Sequence, residues 1–345
     1  MLIRAARLSD LDQMMNLSTQ MGEGMTSMPH DLSSWEKKLS ATEASFSGEV
    51  EQRGNEIFQL VLVNESDNQV MGTCAIFAAV GMSHTFYSYK VSRNIMRSTE
   101  LGITADTRVL HLVNDFTGMT ELASLFLQQE YRGNNDYPDA GRFLSCCRYL
   151  MLYDFREHFS DHVFAEIRGW IDDEGNSPFW NAIGQHFFDL PFTEADFMSA
   201  VNGTQFIADL MPKDPIHINL LSKEAQEVVA KPNKYSVPAL KMLEKEGFHH
   251  NNYIDIFDGG PTIQCKLDQI ESVRQAKLCQ TTTQKNHSNN QQTCLVSNRK
   301  LEDYRIIMAE AALDDDELYL TAAQLDQLHI DANDQVSRIP LRSTS

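Results

Sequence analysis

Two runs of β-forming residues joined by one polar turn constrain this chain more than anything else in it. Ile57 to Val63 (IFQLVLV) is nearly continuous in apolar character, NESDNQ follows, and VMGTCAIFAAVG returns. Short apolar runs rich in Val, Ile and Phe and bounded by Asn, Asp and Ser read as buried strands, and this spacing joins them as a hairpin. The core of the chain is thus a sheet. Further strands are expected at Leu2 to Arg4, Phe86 to Val91, Val109 to Leu112 and Leu122 to Leu127.

The last of these runs into a polar turn and then a helix. Turn residues extend from Gly133 to Asp139, and Phe143, Leu144, Cys147, Leu150, Met151 and Phe155 then recur at helical intervals. The free backbone N–H groups of such a helix N-terminus form a ready anion site. VFAEIR (Val163 to Arg168) reads as the next strand. Ser177 caps a helix with Pro178 at its first position, whose aromatics Phe179, Trp180, Phe187 and Phe188 read as core. FIADLMP (Phe206 to Pro212) reads as a strand, and VPALKMLEKEGF as a helix stopped at Gly247. NNYIDIFDGGP is a strand closed by a Gly-Gly-Pro turn. Residues 280–293 form a polar linker, followed by a β-rich tail with a short helix in TAAQLDQL.

Length and charge bound the function. A chain of 345 residues holds about two domains and an extra module at ~150 residues per domain. The net charge of −19 repels nucleic-acid backbones and anionic membranes but attracts a cationic substrate. The longest uncharged apolar run, Val70 to Met82, is too short for a span of ~20 residues. MLIRAARLSDLDQ lacks the apolar core of a signal peptide, so a cytoplasmic location is expected. None of the six cysteines forms a CxxC pair, so no metal site is expected and the thiols read as reduced and mostly buried.

Several segments carry a closer likeness. They are GEGMTSMP (Gly22 to Pro29), GTCAIFAAVG (Gly72 to Gly81), FYSYKV (Phe86 to Val91) and LHLVNDFTGMTELASLFL (Leu110 to Leu127). EIRGWIDDEGNSPFWNAIGQHFF (Glu166 to Phe188), FIADLMPKDPI, EKEGFHHNNYIDIFDGGPT (Glu244 to Thr262) and LTAAQLDQL (Leu320 to Leu328) complete the set. With these the chain resembles the bacterial arginine N-succinyltransferase family. The resemblance implies an α/β (α+β) fold of two GNAT-like acyl-CoA N-acyltransferase units with mixed, largely antiparallel sheets, plus a small β-rich C-terminal module. Residues 1–160 would form the acyl-CoA-binding unit, 161–279 the second unit completing the site, 280–293 the linker and 294–345 the tail.

The implied reaction transfers succinyl from succinyl-CoA, a cosubstrate rather than a bound cofactor, to the α-amino group of L-arginine. Homo- or hetero-oligomers are consistent with the resemblance. It places the acyl-CoA contact at Leu125 and the pyrophosphate turn at Arg132, Gly133, Gly141 and Arg142, within a loop longer than the family's. The family's proton-donating histidine, in a His-Pro-Gln-Thr-Ala-Pro-Ala segment, falls on Asn233, which cannot relay a proton. Tyr235 is a candidate substitute acid, and His249 and His250 are further ones. Phe77 stands where the family has a glutamate. Glu121 and Asp115 are candidate bases or amine ligands, while Asp172, Asp173 and Glu174, an acidic turn able to pair with a guanidinium, read rather as a solvated turn before the Ser177 cap. These departures leave a second reading: a weakly active or inactive CoA-binding paralogue acting as partner subunit or regulator, or a transferase for ornithine or another amine.

Overall fold

The structure, a computed structural model, describes residues 1–20, 27–49, 54–202, 205–284, 291–312 and 316–342. Gly22 and Gly24 of the GEGMTSMP segment, and 285–290 of the polar stretch, lie outside the described residues.

The β-forming runs become β1 (Leu2–Ala5), β2 (Ile57–Asn64), β3 (Gln69–Phe77), β4 (Ser88–Ser98), β5 (Ile103–Val113), β6 (Thr120–Leu127) and β7 (His162–Glu166). They continue as β8 (Ile216–His217), β9 (His249–Ile254), β10 (Pro261–Lys266), β11 (Lys277–Thr282) and β12 (Gln291–Ser297). The last are β13 (Arg305–Ala312), β14 (Glu317–Tyr319) and β15 (Gln335–Pro340). All lie in one mixed sheet, ordered β14-β11-β15-β12-β13-β1-β2-β3-β6-β7-β10-β9-β4-β5-β8. Pairing among the described strands is antiparallel except at β6–β7 and β11–β14. The β2–β3 hairpin sits near the middle and is buried along almost its whole length, as its unbroken apolar sequence requires.

Helix Ala140–Asp154 crosses this central region. Phe143, Leu144, Cys147, Leu150 and Met151 are all buried there, in the cluster that also holds Leu60, Leu62, Cys74 and Ile76. Gly72 permits its close approach, because a Cβ there would meet the Phe126 carbonyl oxygen at 2.6 Å and Leu144 Cδ2 at 2.9 Å. The helix's far end is fastened to the tail. Asp154 accepts hydrogen bonds from Ser297 Oγ (2.5 Å) and Tyr304 Oη (2.8 Å) and pairs with Arg299 (3.1 Å).

Several expectations change. FIADLMP is not a strand: Gln205–Leu210 is helical. Its apolar residues, Phe206, Ile207 and Leu210, fit a helical spacing as well as an extended one. Phe187 is 45% exposed, while Phe179 and Trp180 are fully buried, so the aromatic set is only partly core. The polar stretch 280–293 enters the sheet at both ends, through β11 and β12. All six cysteines are buried and unbridged, and burial pushes the Cys146 thiol up to about 12, against a nucleophilic role. No described helix is long and apolar enough to cross a membrane.

Candidate active site

Strands β6 and β7 run parallel but pair only at Thr120 with Val163 and Glu121 with Phe164. Beyond that point they part. β7 goes on pairing with β10 as far as Glu166, while β6 continues to Leu127 beside β3. On the β3 side the ladder is interrupted between Thr73 and Ala75, where Ser124 takes a left-handed φ of 54°. A bulge of this kind re-aims the strand and frees backbone groups from the ladder. Leu125, the expected acyl-CoA contact, follows this bulge on the open arm of the V.

The chain then turns toward a helix N-terminus. Arg132 Nε donates to the Leu127 carbonyl (2.7 Å), and its guanidinium lies 5.3 Å from the Phe126 ring centroid. Gly133 turns with a φ of 66°. Gly141 lies in the first turn of Ala140–Asp154, against Leu127. Arg142 Nε donates to the Leu341 carbonyl, so the tail already engages that side chain. Asp139, just before the helix, pairs with Arg342 (2.7 Å). The structure thus gathers Leu125, Arg132, Gly133, Gly141 and Arg142 along one path from the open strand into one helix.

Side chains with unusual electrostatics line the V. Lys38, on helix Leu32–Ser47, donates to Ser124 Oγ (3.1 Å) and to the Ser27 carbonyl. Its ammonium lies 5.1 Å from the Trp35 ring centroid and 5.2 Å from that of Phe77. The aromatic residue at 77 therefore holds a cation by its π face. Burial pulls Lys38 down to about 7, against the charge of Glu121. Burial lifts Glu121 to about 7, with Lys38 pulling it down and Asp255 pushing it up. Glu166, at the end of β7, is raised well above the carboxylate range by burial and by the charges of Asp255, Glu121 and Asp258. Asp258 accepts from the Gly169 (2.6 Å) and Gly260 (2.8 Å) N–H groups, and Asp255 from those of Phe257 and Asp258.

Strand register places Glu121 and Glu166 on one face. Phe77 opposes Glu121, which opposes Phe164. Two residues on, Glu166 opposes Thr262, and Thr262 opposes Tyr253, which opposes Lys90. Directly opposed residues share a side, as do residues two apart on a strand. Ser88, two residues from Lys90, belongs to this side as well. Thr262 is 1% exposed and Ser88 0%, yet neither Oγ has a hydrogen-bond partner, and Glu166 Oε1 is likewise buried and unpartnered. A buried polar group left unpaired costs about 1–3 kcal/mol.

Asn233 is brought to the end of β7. Its N–H donates to the Arg168 carbonyl (2.8 Å), and its neighbour Pro232 bridges Gly169, whose N–H meets Asp258. Asn233 is buried, and its Oδ1 accepts from the Tyr235 N–H (2.9 Å), holding the turn that opens helix Val237–Lys245. Tyr235 points outward, 73% exposed, with the Lys234 ammonium 5.1 Å from its ring centroid. His249 and His250 are exposed on β9, where His250 Nδ1 lies 3.1 Å from the Thr262 carbonyl oxygen. Asp115 accepts from Tyr253 Oη (2.7 Å) and lies 3.9 Å from Lys90, leaving Glu121 as the carboxylate at the base of the V. Asp172 closes its own turn on Asn176 and Glu174, and Asp173 pairs with Lys234 at the surface, as a solvated turn does.

Sequence reasoning missed Lys38, Glu166, Asp255 and Asp258. Lys38 gave no signal, since one lysine among polar helix residues reads as surface. The carboxylates did give one: AEIRG and YIDIFDGG set acids inside otherwise apolar, strand-forming runs.

Known proteins agree on one family. The model described as "Arginine N-succinyltransferase beta subunit" matches residues 1–272, and that of its C-terminal domain matches 277–340. A protein of Photorhabdus laumondii named arginine N-succinyltransferase is 40% identical over 343 residues, covering 99% of this chain and 98% of its own. One of Shigella flexneri with the same name is 37% identical over 341 residues, with coverage of 99% and 98%. Among solved structures, arginine/ornithine succinyltransferase subunit AI from Pseudomonas aeruginosa superposes with a TM-score of 0.87 at 30% identity, covering 99% of both chains.

Proposed function

The chain belongs to the arginine N-succinyltransferase beta subunit family, and from that premise we propose that succinyl-CoA meets L-arginine in the splay between β6 and β7. The chain is an acyltransferase, and the transfer joins the succinyl carbonyl to the α-amino nitrogen. A C–N bond forms as the thioester C–S bond breaks. One proton leaves the ammonium before attack, and a second passes from the attacking nitrogen to the CoA thiolate.

The observation that carries this reading is the bulged, half-unpaired β6, opening beside the N-terminus of Ala140–Asp154. Backbone groups near Leu125 suit the pantetheine amides. The turn through Arg132 and Gly133, and the helix start at Gly141 and Arg142, suit the pyrophosphate. In this reading residues 1–160 and 161–279 are two GNAT-like units that meet at the splay, and the tail module backs the helix. Glu121 accepts the ammonium proton, a role suited to a carboxyl held at about 7. Asn233 positions its loop through the Tyr235 N–H, and the exposed Tyr235 phenol is the acid that this segment offers the leaving thiolate.

A thiol-release assay with succinyl-CoA and L-arginine tests the reading. Arginine-dependent CoA release is expected, with Glu121→Gln slowing it by about 10²-fold or more. CoA binding without arginine-dependent release would replace the enzyme by the CoA-binding paralogue that Asn233 and Phe77 suggest.

A further inference from the structure

The acids beyond Glu121 have no part in the proton transfers above, yet they are gathered at the open end of the splay. Glu166 and Asp255 are half-buried, and their side chains lie within hydrogen-bonding reach of each other. Behind them stand two hydroxyls, Thr262 and Ser88, fully buried and with no hydrogen bond, and the equally unpartnered Glu166 Oε1. Glu166, Thr262 and Ser88 share one face by register, and Asp255 follows directly on β9. Among the described residues, no group of three or more His, Cys, Asp or Glu side chains is disposed to hold a metal ion.

We propose that the recess formed by Glu166, Asp255, Thr262 and Ser88 is the subsite for the cationic side chain of the acceptor amino acid. The proposal rests on the reading that the chain acylates an amino acid in the splay. A guanidinium carries five N–H donors and no acceptor. This recess presents the complement: carboxylate oxygens and hydroxyl lone pairs. Burial raises both Asp255 and Glu166, and the charges of Asp255, Glu121 and Asp258 raise Glu166 further; acids driven in this way toward their neutral forms regain their charge when a cation sits among them. Planar, bidentate pairing with a carboxylate favours guanidinium over a point-charge ammonium. A urea group in its place would turn a carbonyl oxygen toward the acids.

Spacing agrees with this. Glu121 opposes Phe164, and Glu166 lies two residues further along β7. Their Cα atoms are therefore roughly 8 Å apart, from ~3.3 Å per residue along the strand and ~4.8 Å across. That matches the reach of an extended arginine side chain, with its α-amine at Glu121 and its head group at Glu166. The charges of Asp255, Glu121 and Asp258 all bear on Glu166.

Calorimetric titration of the full-length, CoA-loaded protein with L-arginine and with L-citrulline tests the subsite without requiring turnover. Wild type should bind arginine at least about 30-fold more tightly than citrulline. Glu166→Gln should erase most of that preference by weakening arginine, leaving citrulline within about threefold and CoA affinity unchanged. Thr262→Val, a near-isosteric change, should cost arginine about fivefold to tenfold and citrulline less. If Glu166→Gln loses CoA binding, the fold has failed and Thr262→Val decides alone. Equal binding of the two ligands by wild type overturns the subsite, as does undiminished arginine preference in the variants. Thiol release separates the two ideas. Turnover with unaltered discrimination sinks the subsite and keeps the enzyme. Discrimination lost on mutation, with no turnover in wild type, does the reverse.

Discussion

Replacing Lys38 by methionine should move the acidic limb of the pH–rate profile upward. The Lys38 ammonium opposes the burial that lifts Glu121, and the two effects leave that carboxyl at about 7. A nearby opposite charge is worth about one pKa unit at the lower end of its usual range, so its loss raises Glu121 to about 8. At pH 7 the ionised fraction then falls from about one half to about one tenth, a roughly fivefold drop in kcat/KM. At pH 9 both forms are almost fully ionised and the deficit should vanish. Methionine keeps much of the side chain's packing against Trp35 and Phe77, though it loses the hydrogen bonds to Ser124 and Ser27. Lys38→Arg is the complementary variant: its cation persists through the whole range, whereas burial leaves the Lys38 ammonium at about 7, so the limb should move the opposite way, downward. The assay is CoA release at low arginine across pH 5.5–9.5. A limb that stays put in Lys38→Met, or a loss equal at pH 7 and pH 9, would refute Glu121 as the base and Lys38 as its tuner.

Two further substitutions follow from the geometry. Asn233→His places a group titrating near neutrality beside the end of β7, and turnover with arginine should rise toward about 10²-fold with CoA affinity unchanged; kcat and the CoA dissociation constant report this. Asp154→Ala strips Ser297, Tyr304 and Arg299 of their shared buried acceptor. Because Arg299 is partly exposed and can rehydrate, the loss should be about 2–3 kcal/mol rather than the larger penalty of a fully buried pair, read from urea unfolding.

The backbone plan was legible wherever local chemistry and tertiary demand agreed. The β2–β3 hairpin, the Ser177 cap with Pro178, and the stop at Gly247 (φ 97°) all declared themselves through residue type. FIADLMP did not, because a short apolar run satisfies either period and tertiary packing decides between them. The candidate site divides along the same line. Leu125 and the turn to the helix belong to one contiguous segment and could be read in order. The link from Lys38 to Ser124 spans 86 residues, and the row from Glu166 through Thr262 to Tyr253 exists only once three strands are in register. Burial, which gives the acids their chemistry, is set by that assembly and by no local pattern.

The seat of β1 carries a consequence for how the protein is made. Its residues hydrogen-bond to β2 on one side and to β13 on the other. The first partner is complete by Asn64, but the second waits until Ala312. At a synthesis rate of ~5–20 residues per second, the β1 edge stays open for some 10–50 s after β2 is available. During that interval the nascent chain displays an unmated strand edge, with Leu2 and Ile3 beside it, the kind of template on which chains aggregate or exchange strands. The arrival of β13 closes that edge, so a strand made late shields one made early.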